Sequence, residues 1–132
     1  MNRQALYSLY AGGVLHLGWA VFHLLFPRVF AWPRRLEGLD PVNRGIMHII
    51  NLCLAFYFFA AGYLTLVFAP EMLSSPLGRK LVAMFTAFWL LRLGLQFRFF
   101  RATHPVSLLL SLLFLLTTAA YAYPLLHGAT QP

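Results

Sequence analysis

Residues 16–26 read HLGWAVFHLLF, with His16 and His23 seven positions apart in an otherwise apolar run. Imidazoles in such a setting can bind a metal, carry a proton or hydrogen-bond to a neighbour. At 100° per residue the two come within about 20° of two full turns, so both point the same way, flanked by Gly12, Gly13 and Ala20. Other polar residues recur in apolar surroundings. Arg44 and His48 align on one face, with Asn51 about 60° away. Arg92 and Gln96 share a stripe with Phe85 and Trp89, and Ser107, Ser111 and Thr118 form a weaker one.

The chemistry open to these groups is limited by what is missing. The only acids are Glu37, Asp40 and Glu71, so carboxylate-bridged di-iron sites, paired-carboxylate hydrolysis and an Asp-oriented triad are excluded. A proton-coupled exporter that relies on a membrane acid has no candidate residue, and no P-loop or dinucleotide fingerprint occurs. Arg92 is the most costly residue to bury, at about 2.5 kcal/mol or more for a mid-helix position. Its charge must meet backbone carbonyls, an aromatic face such as Trp89, water or an external anion, unless it snorkels to the interface. His16 and His23 lie about 10.5 Å apart along one helix, too far to share a metal ion. His23 and His48, at similar depth on adjacent spans, could bracket a haem iron or hold one metal.

These residues must be positioned by membrane helices. In 132 residues 61% are hydrophobic and 10% charged, a balance that cannot cover a water-facing surface. The net charge of +7 flanks apolar spans, which points to topology and anionic headgroups, not to nucleic acid. Cys53 allows no intrachain disulfide or thiolate cluster, and its place in an apolar helix suits a small packing residue.

Four segments, about 5–26, 43–69, 77–100 and 105–127, are long enough to cross a bilayer. The expected fold is an all-α polytopic membrane protein, one domain forming a four-transmembrane-helix antiparallel bundle. Pro27 should end the first span and Ala69-Pro70 the second. Asp40-Pro41, Ser75-Pro76 and His104-Pro105 should mark the starts of the second, third and fourth. The stretch 27–42 mixes aromatic and basic anchors and suits the headgroup level. The first apolar run is longer than a signal core and lacks a small-x-small cleavage site, so a retained helix is expected. Four spans in a short chain resemble small multidrug exporters and fluoride channels in outline. The exporters' membrane glutamate is missing from the first helix, and no stretch matches the channels' motifs.

Arg28, Arg34, Arg35, Arg44, Arg98 and Arg101 fall on the side of the first and third loops, against Arg3, Arg79 and Lys80 on the other. The positive-inside rule then places both termini outside the cytoplasm of an inner membrane. His104 and His127 are expected to face water or headgroups.

The functional expectation is an intramembrane pocket lined by His16, His23, His48, Asn51, Arg92 and Gln96, with Trp19, Trp89, Phe85 and Phe88 as apolar walls. It would bind, transport or modify a small polar or amphipathic molecule: a quinone, a lipid headgroup or an organic anion. As an enzyme it would use a histidine as acid or base and Arg92 to stabilise negative charge. One alternative is haem b or another metal on His23 and His48, with Gly45 and Gly94 making room and Arg34, Arg35 and Arg44 meeting propionates. The other is an accessory or assembly subunit, as a homo-oligomer or within a larger membrane complex, whose polar core only fixes helix packing.

Overall fold

Apolar composition and proline-marked boundaries produce helices throughout. The computed structural model describes residues 2–100 and 104–127. Arg101, counted above for orientation, lies outside the described residues. The elements are α1 (Arg3–Val29), α2 (Trp32–Arg35), α3 (Pro41–Ser74), α4 (Pro76–Phe99) and α5 (Pro105–His127). Every helix except α2 is long and apolar enough to cross a membrane, and no strand occurs among the described residues. The chain is an all-α, four-helix integral membrane protein.

The helix starts follow the local sequence. Asp40 Oδ1 accepts from the Val42 and Asn43 N–H groups at 3.0 and 3.1 Å, and Pro41 opens α3. The Asn43 side chain also donates to the Asp40 carboxylate. That bond, then the Asn43 backbone bond, holds the carboxyl below its ordinary range. Ser75 Oγ accepts from Gly78 N–H at 3.0 Å to cap α4, with Pro76 in the first turn.

Two expected helix ends are not ends. Pro27 lies inside α1, and Pro70 lies inside α3, which continues to Ser74 through a kink at Phe68 (φ −113°, ψ 22°). The reason is local accounting: a proline removes one N–H and orphans the carbonyl four residues earlier. For Pro27 that carbonyl belongs to His23, and Asn51 Nδ2 donates to it at 2.8 Å. For Pro124 in α5 it belongs to Ala120, and Ser8 Oγ donates to it at 2.8 Å. For Pro70 it belongs to Leu66, where no side-chain donor is found among the described residues, and α3 bends.

Burial follows steps of four and three. On α1 it runs Ala5, Leu9, Gly12, His16, Trp19 and half-buried His23, and on α3 from Asn51 through Ala55, Phe58, Gly62 and Thr65 to Ala69. On α4 the seam includes Val82, Phe85, Trp89, half-buried Arg92 and Gln96; on α5 it includes Ser107, Phe114, Thr118 and Tyr121. This 3.5-residue repeat is that of left-handed helix packing.

The chain divides into two compact units, Gly13–Leu64 and Met1–Gly12 with Thr65–Pro132. In the first, α1 and α3 pack antiparallel. A Cβ on Gly62 would stand 2.9 Å from Leu17 and 3.0 Å from the Gly13 carbonyl, so glycine sets their approach. At one end, Trp32 and Leu36 are buried while Arg34 and Arg35 are exposed, as suits an interfacial segment. In the second unit Tyr121 of α5 reaches three other helices. Its ring covers Gly12, where a Cβ would come within 2.8 Å. Its hydroxyl hydrogen-bonds Thr65 Oγ1 at 2.9 Å, and its ring meets the edge of Phe85 at 5.3 Å.

Candidate functional site

The interior polar residues form two sets, one in each unit. In Gly13–Leu64, His16 is fully buried (0% exposed), with its ring 5.8 Å from Phe58 and 6.4 Å from Tyr57. His23 stacks on Phe26 at 4.2 Å and tilts against Phe58 at 5.1 Å. Phe58 therefore touches both imidazoles, in keeping with their common face.

Asn51, 5% exposed, decides the state of His23. Its Nδ2 donates to the His23 carbonyl, which fixes the direction of the amide. Its Oδ1 then faces His23 Nδ1 at 3.0 Å. A carboxamide oxygen only accepts, so Nδ1 is assigned the proton. In the neutral ring this is the Nδ1–H tautomer.

Two expectations in this unit are corrected. His48 is exposed, not inward-facing, with its ring 5.1 Å from buried Trp32. No residue from 41 to 50 is buried; burial on α3 begins at Asn51, so the first turns present His48 outward whatever its helical phase. Cys53 is likewise exposed and is no packing residue in this chain. Trp19 is buried, with Phe22 edge-on at 5.9 Å.

In the other unit a hydrogen-bonded chain links α4 to α5. Arg92 Nη1 donates to Gln96 Oε1 at 3.1 Å, and Gln96 Nε2 donates to Ser107 Oγ at 3.0 Å. Ser111 Oγ donates to the Ser107 carbonyl at 2.8 Å. Gln96 is 1% exposed. The Arg92 guanidinium carbon sits 4.2 Å over the Phe114 ring, and Phe114 stacks on Trp89 at 5.9 Å. The aromatic face beneath the cation is therefore Phe114, with Trp89 behind it. Neither α4 nor α5 contains an acid.

Among the described residues no buried side-chain nitrogen or oxygen lacks a partner. The Arg92 donors not given to Gln96 are accordingly accessible, not sealed. A guanidinium oriented by a glutamine and an aromatic ring, with donors to spare, has the chemistry to donate to carboxylate, phosphate or carbonyl oxygen. No group of three or more His, Cys, Asp or Glu placed to hold a metal ion is found among the described residues. His104 and His127 are exposed.

Three participants escaped the sequence reading as site residues: Phe58, Ser107 and Phe114. Phe58 follows Asn51 by seven residues, and Phe114 follows Ser107 by seven, so each lies on the face of a polar residue already singled out. Comparison with family models, curated proteins and solved structures yields no match, and the site is read from its own chemistry.

Proposed function

We propose that this membrane protein binds a small amphipathic ligand through an anionic or carbonyl oxygen at Arg92: an organic anion, a lipid headgroup or a quinone. The carrying observation is the oriented guanidinium, held by Gln96 and Phe114 in helices that contain no acid. A charge-assisted hydrogen bond is worth about 1.5–3 kcal/mol, so Arg92→Ala should weaken retention by roughly tenfold or more. Arg98, exposed near the end of α4, is the control. Gently purified protein is extracted and the released small molecules are identified by mass spectrometry. The Arg98→Ala protein should keep the ligand that Arg92→Ala loses. Equal retention by the two variants removes the reading, and Arg92→Lys tests whether charge suffices without the planar fork.

A second reading, a redox site with haem b or another metal on His23, is favoured by the His23–Asn51 pair; exposed His48, turned against Trp32, is not carried forward as its partner. An amide that fixes the imidazole proton on Nδ1 is the kind of support that metal-binding histidines use. An absorption spectrum separates it: a Soret band lost in His23→Ala supports it, and a colourless, metal-free preparation excludes it. Should neither variant change any bound molecule while His16→Ala alters assembly or melting, the accessory-subunit reading stands.

A further inference from the structure

The unit formed by Gly13–Leu64 contains an apolar groove that the chemistry above does not use. It encloses about 450 Å³ between α1 and α3. Ala20 and Ala55, both buried, leave a trough between larger walls that include Leu17, Leu24, Leu52 and Phe56.

The stripe that lines it becomes basic at one end. On α1, Leu17, Val21 and Leu24 continue one turn to Arg28; on α3, Phe56 and Leu52 continue to His48 and then Gly45, beside Arg44. The two helices pair His16 with Phe58 and His23 with Asn51, so they run antiparallel and both continuations reach the same end. The connecting α2 adds Arg34 and Arg35 there. Arg28, Arg34 and Arg35 are exposed, Arg44 partly so, and a Cβ on Gly45 would meet nothing within 4 Å. The acids at this end are Glu37 and Asp40, and Asp40 is engaged at the α3 N-terminus and by Asn43.

We propose that the groove binds an anionic phospholipid, with one acyl chain between α1 and α3 and the phosphate met by Arg28 and Arg44. An apolar trough alone would accept any acyl chain. The four arginines at this end of the helices would select the headgroup, each arginine near an anionic surface favouring it by about fivefold. A second copy of this chain in the same membrane orientation would bring its own arginines to the same end, so like charges disfavour it as the occupant.

The test is native mass spectrometry of the full chain in detergent with equimolar phosphatidylglycerol and phosphatidylcholine. Phosphatidylglycerol should be retained over phosphatidylcholine by about tenfold or more. Arg28→Ala with Arg44→Ala should abolish that preference, Arg28→Lys should keep most of it, and Arg79→Ala with Lys80→Ala, at the start of α4, should leave it intact. Ala55→Leu fills the trough and should reduce retention of both lipids; Ala20→Leu does the same from the facing helix. Equal retention of the two lipids by the unaltered protein, or a preference lost as readily in the Arg79/Lys80 variant, overturns the proposal. Loss of the preference in Arg92→Ala, with Arg28 and Arg44 in place, would assign the bound lipid to the α4–α5 ligand reading and overturn this proposal.

Discussion

Asn51 performs two tasks with one amide: it fills the hydrogen-bonding gap left by Pro27 and it sets the proton of His23. Ser8 performs the first of these for Pro124. An interior proline costs about 3 kcal/mol in a helix, and inside a bilayer no water compensates for the freed carbonyl. Removing Asn51 strands both a carbonyl and an imidazole N–H, so Asn51→Ala should destabilise by about 1–3 kcal/mol. Ser8→Ala strands one carbonyl and should cost about 1 kcal/mol. Melting of the purified variants checks the order, and a larger loss for Ser8→Ala would contradict the double role of Asn51. The His23 imidazole gives a second readout: in Asn51→Ala its nitrogen chemical shifts should report a mixture of tautomers in place of the Nδ1–H form.

Much of the helical framework was legible because it depends on neighbours in the chain. Apolar length, the caps at Asp40 and Ser75, and the shared face of His16 and His23 all follow from spacing of a few residues. Pro27 was misjudged for the opposite reason: whether it ends a helix depends on Asn51, as the passage of α5 through Pro124 depends on Ser8, more than a hundred residues away. The site was legible to the same extent. Gln96 and Arg92 stand out by type, but Ser107 and Phe114 become their partners only once α4 pairs with α5. His48 had the right helical phase and the wrong environment, because the first turns of α3 bury nothing. Packing at the element scale rests on small residues, Gly12 among them. A methyl there would press on Tyr121, which already bonds Thr65 and meets Phe85. Gly12→Ala should therefore destabilise by about 1–3 kcal/mol, while Tyr121→Phe, which keeps the ring and loses the hydroxyl bond, should cost about 0.6 kcal/mol. Thermal unfolding in one detergent compares them, and a neutral Gly12→Ala would show that the ring yields freely.

At the scale of the whole molecule, the dominant features are an apolar exterior and an excess of positive charge gathered at helix ends. We expect that bias to orient the chain with the α1–α3 connection in the cytoplasm and both termini outside. In a Cys53→Ser background, a cysteine at Thr130 should react with a membrane-impermeant thiol reagent in intact cells, and one at Gly38 only after lysis. The reverse pattern would invert the orientation. The Gln96–Ser107 bond and the Arg92–Phe114 contact have a bearing on how the protein is made. α4 emerges from the ribosome carrying an arginine and a glutamine whose partners are still inside the exit tunnel, with only residues 100–104 before α5 begins. Lodging in the bilayer is least costly for α4 once α5 stands beside it, so α4 and α5 should enter together as a hairpin, and a released chain truncated before Pro105 should integrate α4 less completely.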